Sequence, residues 1–242
     1  MSGKNGFQKW LSSFFKENKL PESRQAKFRF VSFDEYSNFE DSGSDFIIFE
    51  DQWIRNPDDI KSKIMSELGL SRRIFARNCR VEKISRKAAR DFANRHHSYG
   101  YARSKVHLSL ICNDETAALA TFAEPREFSS GISAEMTRFC NKSFTTVVGG
   151  LSKLIKAYAR LYKPADIMTY ADLDRGSGRA LRKIGFRPEE KKSGIAFMCD
   201  KDTGERIPEK HFTDCENSKR YVRLKNSGSI KYVLKLTSGT NQ

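Results

Sequence analysis

The run His96-His97-Ser98-Tyr99-Gly100-Tyr101 concentrates more proton-transfer chemistry than any other stretch of the chain. An imidazole is close to its neutral form at pH 7 and can give or take a proton. His97 and Tyr99 are the candidates here, and His96 could exchange roles with His97. The same residues also read as surface histidines beside phosphates. Arg138 lies in the apolar run Glu135–Cys140, where strand geometry turns it partly inward. A buried guanidinium needs a carboxylate, which Asp172 or Asp174 could supply, and the pair would serve structure or catalysis equally well. Cys140 reads as core, since a reactive thiolate wants an exposed, electropositive setting. Val148, Gly149, Gly150, Leu151 and Ser152 open an amphipathic helix. Glycines there let backbone N–H groups approach a phosphate, and the helix dipole favours the anion. Asp45, Glu50 and Asp51 could converge on a divalent ion as metal-dependent cleavage requires, but acidic loops are usually just solvated, so no metal is expected.

The elements that must hold these residues follow from periodicity. Phe7, Trp10, Leu11, Phe14 and Phe15 mark a first helix, ended by Pro21, and residues 34–45 read as an acidic loop. Asp45–Glu50 suggests a strand, Pro57–Leu68 a helix, and Arg86–His96 a helix capped by Ser85. Val106–Cys112 and Ala117–Phe122 form a hairpin about Asn113-Asp114-Glu115. Strand Glu135–Cys140, helix Leu151–Tyr162, strand Asp166–Ala171 and a short helix over Gly178–Ile184 come next. A strand opens at Gly185-Phe186, and Ile230–Leu236 reads as one more.

The chain has 242 residues, with 44 Lys and Arg against 30 Asp and Glu, a net charge of +14. Between residues 71 and 105 eleven cations face only Glu82 and Asp91. Clustered cations bind polyanions by releasing condensed counterions, which favours nucleic acid as partner. Arg77, Arg86, Arg90, Arg95, Arg103 and Lys105 are the candidate contacts. Phe92, Tyr99, Tyr101 and Phe128 could stack on a displaced base. The five cysteines are scattered and never form a CxxC pair, which argues against a disulfide framework or zinc ribbon and for a reducing cytoplasm. No apolar stretch approaches the ~18 residues of a membrane span, and no secretory signal is visible.

The order strand, glycine pair, helix, strand, small helix and Ile184-Gly185-Phe186 resembles the second half of the GNAT acyltransferase fold, over about residues 80–200. That resemblance implies an α+β fold, a mixed, mainly antiparallel sheet flanked by helices. It also implies acetyl-CoA or a related acyl-CoA as cofactor, its phosphates held at Val148–Ser152. The usual glycine loop has a further glycine and a basic residue that Val147–Leu151 lacks. The tyrosine expected before the final Gly-Phe is absent too, leaving Tyr170 to take its place. A second set of motifs is more specific. Phe49-Glu-Asp-Gln-Trp53, Arg73-Ile-Phe-Ala-Arg77, His97-Ser-Tyr-Gly100, Glu135–Lys142, Val147–Gly150 and Thr169-Tyr-Ala-Asp172 occur in this order in phage Hef-like or very-short-patch-like homing endonucleases, whose GNAT-like module resembles the Mom DNA-modification family. Mom-like activity implies transfer of an acyl-derived group to a nucleobase amine of double-stranded DNA, with the base turned out of the stack and the DNA protected from restriction. His97, Tyr99, Arg138 and Asp172 would then line the cleft. The implied organisation is an N-terminal extension or nuclease remnant (1–70), a catalytic domain (71–200) and a basic C-terminal extension (201–242), in a phage- or prophage-encoded protein of the bacterial cytoplasm. The competing reading is a non-catalytic DNA-binding accessory related to the homing endonucleases.

Overall fold

Asn113 and Asp114 both take positive φ, 49° and 60°, the backbone that a two-residue hairpin turn requires. Their short polar side chains tolerate it, and the turn joins β2 (Val106–Cys112) to β3 (Glu115–Phe122). The computed structural model describes residues 3–39, 46–128, 131–213 and 219–236. Around the hairpin lies a sheet with β1 (Arg80–Lys83), β4 (Gly131–Asn141), β5 (Asp166–Asp172), β6 (Arg187–Lys192) and β7 (Ser229–Lys235), in the order β6-β7-β5-β4-β3-β2-β1. The pairs β1–β2, β2–β3 and β3–β4 are antiparallel, and β4–β5 is parallel. This is the α+β class and mixed sheet that the sequence implied.

Helix α1 (Arg86–His96) begins where the Ser85 hydroxyl accepts the Ala88 N–H at 3.2 Å. Its Ala89 and Ala93 pack with Leu119 and Cys140, which places Cys140 in the core as expected. Helix α2 (Gly150–Tyr162) covers the opposite face, where the Tyr158 ring stacks on Phe122 at 3.8 Å. Leu119 and Phe122 are three apart on one strand, so they point to opposite faces of the sheet. A short α3 (Arg179–Lys183) precedes β6. The segment before α2 was expected only as a lead-in. It forms a strand, Thr145–Val148, paired in parallel with Arg72–Phe75.

The chain divides into two compact units. One holds residues 61–170, 179–190 and 231–242 and carries most of this sheet; the other holds 1–60, 171–178 and 191–230. In the latter, Phe7, Leu11, Phe14 and Phe15 bury one face of helix Gly3–Glu17. Strands Phe28–Val31 and Phe46–Phe49 pair in parallel. A three-stranded antiparallel sheet, Ala196–Asp200 between Arg206–Pro208 and Tyr221–Lys225, was not expected from the tail. Within the presumed acidic loop, Phe33–Asn38 is a 3-10 helix opened by a Ser32–Glu35 capping box; residues 40–45, Asp45 included, lie outside the described residues. Glu50 accepts the Phe33 N–H at 3.0 Å. Asp51 is 2% exposed and takes a bidentate ion pair from Arg206, 2.6 and 3.1 Å, together with the Tyr36 hydroxyl. These carboxylates therefore hold the fold, and among the described residues no acidic, histidine or cysteine group could seat a metal ion. Among them, too, no helix is long and apolar enough to cross a membrane.

Removing one partner of a buried pair strands the other charge. Arg206→Met should lower stability by about 3–5 kcal/mol in urea unfolding. The double variant Asp51→Asn/Arg206→Met should lose less; a larger loss in the double variant would contradict the pairing.

Candidate active site

On one edge β4 pairs with β3, but the register slips: Thr121 faces Arg138 and Phe122 faces Met136, leaving Thr137 as an extra residue. Such a bulge bends and twists the strand that carries it. On its other edge β4 pairs with β5 only at Ser133, Ala134 and Glu135, opposite Asp166, Ile167 and Met168. The parallel ladder stops where the bulge begins, and the strands separate beyond it. At the fork the Thr169 hydroxyl donates to the Met136 carbonyl at 2.9 Å, replacing a ladder bond. The Thr137 hydroxyl donates to the Thr121 carbonyl at 3.1 Å and receives the Thr121 hydroxyl at 2.7 Å, which pins the bulge. The result is a wedge between β4 from Met136 and β5 from Thr169. Backbone groups of β4 that face it beyond the fork have no ladder partner in β5. Neither bulge nor wedge was read from the sequence; the adjacent Thr121–Thr137 pairing leaves no local signal.

The turn after α1 is fastened to this strand. Gly100 takes φ +60°, and a Cβ there would meet Asn94 Oδ1 at 2.8 Å, so glycine is required. Its N–H donates to the His97 carbonyl at 2.9 Å, and the Tyr99 N–H donates to His97 Nδ1 at 3.1 Å. Nδ1 is thus an acceptor, and the neutral ring carries its proton on Nε2. Arg138 Nε donates to the Gly100 carbonyl at 3.0 Å and Nη1 to the Thr137 carbonyl at 2.8 Å. Carbonyls stand where a carboxylate was expected. Burial holds the Arg138 guanidinium below its ordinary value, opposed by Tyr99, Cys140 and Glu135. His97, Tyr99 and Arg138 are therefore brought together. Asp172 ends β5 in the other unit, where its carboxylate accepts the Asp174 N–H at 2.9 Å. Asp174 accepts the Ser227 N–H at 2.9 Å, and burial followed by Asp172 pushes its carboxyl up. His96 does separate work: its Nδ1 accepts the Ser143 N–H at 3.2 Å and bonds the Ser143 hydroxyl at 2.9 Å.

The helix start has a different logic for each glycine. Gly149 caps α2 at φ 76°, a left-handed backbone. At Gly150 a Cβ would sit 3.0 Å from Val147 Cβ and 3.2 Å from Leu110 Cδ1, so a side chain there would have to push its neighbours aside. Beside this start lies a pocket of about 470 Å³, lined among others by Val148, Gly149, Ser152, Arg77, Lys156 and Arg160. Three of the five expected anion-holding residues thus face it; Gly150 is buried and Leu151 half-buried. No acidic residue lies in the first turn of α2, leaving the dipole end cationic. Lys153 ties the pocket wall to the helix through the Ala76 and Cys79 carbonyls, 2.9 and 2.5 Å.

Of the cationic candidates, Arg86, Arg90, Arg95, Arg103 and Lys105 are exposed, and Arg77 stacks over the Phe75 ring at 5.1 Å. Arg90 lies 5.6 Å over Tyr101, and Lys105 pairs with Glu124 at 3.3 Å. Tyr99 is exposed, while Phe92 and Tyr101 pack against the core; the Phe128 side chain lies outside the described residues. Sequence reasoning missed His107. It is buried on a strand covered on both faces, with Nε2 3.0 Å from the Tyr101 hydroxyl, which also receives the Ser104 hydroxyl at 3.0 Å.

No family model matches the chain. No curated protein matches it. Solved structures do. The ribosomal-protein-S18-alanine N-acetyltransferase of Escherichia coli is 13% identical, covering 68% of this chain and 98% of its own, with a TM-score of 0.44. A Bacillus subtilis acetyltransferase in complex with CoA is 15% identical, covering 65% and 99%, at 0.44. A GNAT family acetyltransferase from Elizabethkingia anophelis with acetyl-CoA bound is 10% identical, covering 66% and 99%, at 0.41.

Burial, and secondarily Arg86, lowers the His107 pKa below its ordinary 6.5. The unfolded chain then binds more protons below that value, so this residue's stability is present above pH 6.5 and lost as pH falls through it. Urea midpoints should decline between pH 7.5 and 5.5, and His107→Phe should flatten the decline. An equal slope in the variant would assign it elsewhere.

Proposed function

We propose that this chain is a GNAT-like acyltransferase that uses acetyl-CoA or a related acyl-CoA and delivers the acyl-derived group to a nucleobase amine of double-stranded DNA. This is the Mom-like modification implied by the ordered motifs, and it would protect phage or prophage DNA from restriction in the bacterial cytoplasm. The observation that carries it is the wedge at the Thr137 bulge, where the pairing of two parallel strands stops and backbone groups of β4 are left outside the ladder.

When bound, the coenzyme supplies an acyl thioester whose carbonyl is open to attack by an amine. Unladdered N–H groups of β4 near Cys140 suit a developing oxyanion, because donors fixed by a strand need no reorganisation. The start of α2 and the cations Arg77, Lys156 and Arg160 suit the phosphate end. Gly149 provides the left-handed entry, and Val148, Gly150, Leu151 and Ser152 complete the helix start. With Nδ1 accepting the Tyr99 N–H, His97 in its neutral form has Nε2–H as its donor, which suits it to orienting an acceptor atom. Asp172, the carboxylate of the motif set, is assigned the amine proton. Arg138 positions the turn that carries His97 and Tyr99. Tyr99, an exposed aromatic beside His97, suits stacking on a displaced base.

The DNA partner rests on the exposed cations of α1 with Arg103 and Lys105. Each phosphate contact contributes about 0.9 to the slope of log affinity against log salt. Replacing Arg86, Arg90 and Arg95 together with alanine should therefore reduce that slope by about 2–3. Nucleosides from cells expressing the wild-type chain should gain mass, and Arg138→Ala should cut that yield about a hundredfold or more, the loss expected when an active-site support is removed. Calorimetry should detect acetyl-CoA binding to the purified protein. DNA binding with neither coenzyme binding nor modified nucleoside would leave the accessory reading in its place.

A further inference from the structure

The sheet edge carries a pair of cysteines that the transferase reading does not use. Strand β1 pairs with β2 so that Arg80 faces Ile111 and Val81 faces Leu110. Continued one residue, the register sets Cys79 opposite Cys112. Cys79 remains extended, at φ −113° and ψ 144°. The Ile84 N–H donates to the His107 carbonyl at 3.1 Å, which marks Ile84–His107 as a hydrogen-bonded pair. Narrow and wide pairs alternate along an antiparallel ladder. Counting back from Ile84–His107, Cys79–Cys112 falls on a non-hydrogen-bonded pair. There Cα atoms approach to about 4.5 Å and side chains are closest, within the roughly 4.4–6.8 Å that a disulfide spans.

Facing is also consistent. Val81 lines the pocket beside α2, and Leu110 points at Gly150 of that helix. Cys79 and Cys112 share their parity, so both thiols lie on the α2 face. Cys79 is buried and Cys112 half-exposed. Burial first, then a hydrogen bond with the Cys112 thiol, pushes the Cys79 thiol up, with Lys153 opposing.

We infer that Cys79 and Cys112 are a redox-active cross-strand dithiol that closes to a disulfide under a small-molecule disulfide oxidant. The half-exposed Cys112 thiolate attacks the oxidant, forming a mixed disulfide and expelling one thiolate. The Cys79 thiolate then attacks the Cys112 sulfur and expels the second. Both expelled thiolates take up the protons lost by the cysteines, so two protein thiols are oxidised and one disulfide is reduced to two thiols. The bond encloses α1 and the 97–100 turn in a covalent ring. It also fastens the Cys79 carbonyl, already held by Lys153, into the wall of the pocket beside α2. The inference rests on strand register and holds whatever group the protein transfers.

The full chain, folded and at pH 8, is treated with oxidised glutathione, alkylated, digested and analysed by mass spectrometry. The expected product is one peptide pair joined through Cys79 and Cys112, lighter by two hydrogens than the reduced pair. The oxidised protein should melt at a higher temperature, and dithiothreitol should reverse the shift. Cys112→Ser should abolish both the joined peptide and the shift, with Cys79 left as a thiol. A stable glutathione adduct on Cys112 beside a free Cys79 would overturn the inference. So would two unreacted thiols in the wild-type protein, or a link between chains. Should Cys112→Ser fail to fold, the wild-type peptide map still decides.

Discussion

One extra residue in one strand organises the sheet around the candidate site. Thr137 inserts into β4 without a partner in β3, and the local bend carries the strand away from β5 after three paired residues. A parallel pair cannot part in the middle of a sheet without cost, because each separated residue gives up ladder hydrogen bonds. Here threonine hydroxyls offset that cost: Thr169 satisfies the Met136 carbonyl, and Thr121 and Thr137 satisfy each other. The wedge is therefore stabilised by short, stiff side chains rather than by a flexible loop.

Arg138 shows how such a device positions chemistry at a distance from itself. Its two carbonyl acceptors lie on different elements, the bulge and the 97–100 turn, so the guanidinium couples the opening of the sheet to the location of His97 and Tyr99. The planar guanidinium fixes the directions of both bonds at once, which the freely rotating ammonium of a lysine would not. The contrast with Arg206 is instructive. That arginine meets a carboxylate bidentately and serves stability, whereas Arg138 meets neutral oxygens and keeps its charge available.

Charge is distributed by the same division of labour. The cations of α1 face solvent, Lys87 pairing with Asp91 along the helix, and they retain the field that attracts a polyanion. The carboxylates at Glu50 and Asp51 are consumed internally by a backbone N–H and an arginine. The net positive charge itself comes from 44 lysines and arginines against 30 aspartates and glutamates.

Local periodicity was enough to read α1 with its Ser85 cap, the Asn113-Asp114 hairpin, α2, and the strands β4 and β5, because those features depend on residues within a few positions of one another. The glycine pair was legible as a helix entrance, and the basic stretch as an exposed face. Tertiary structure alone decided that Gly150 serves packing against Leu110, that His96 and His97 hold different partners, and that His107 is buried on a strand covered from both sides. It also decided that segment 191–230 joins the N-terminal residues in one unit and adds a three-stranded sheet there. Each of these depends on contacts between residues tens of positions apart. Strand register, bulges and the burial of a charge are properties of the partner strand as much as of the residue itself, and no window of sequence contains both.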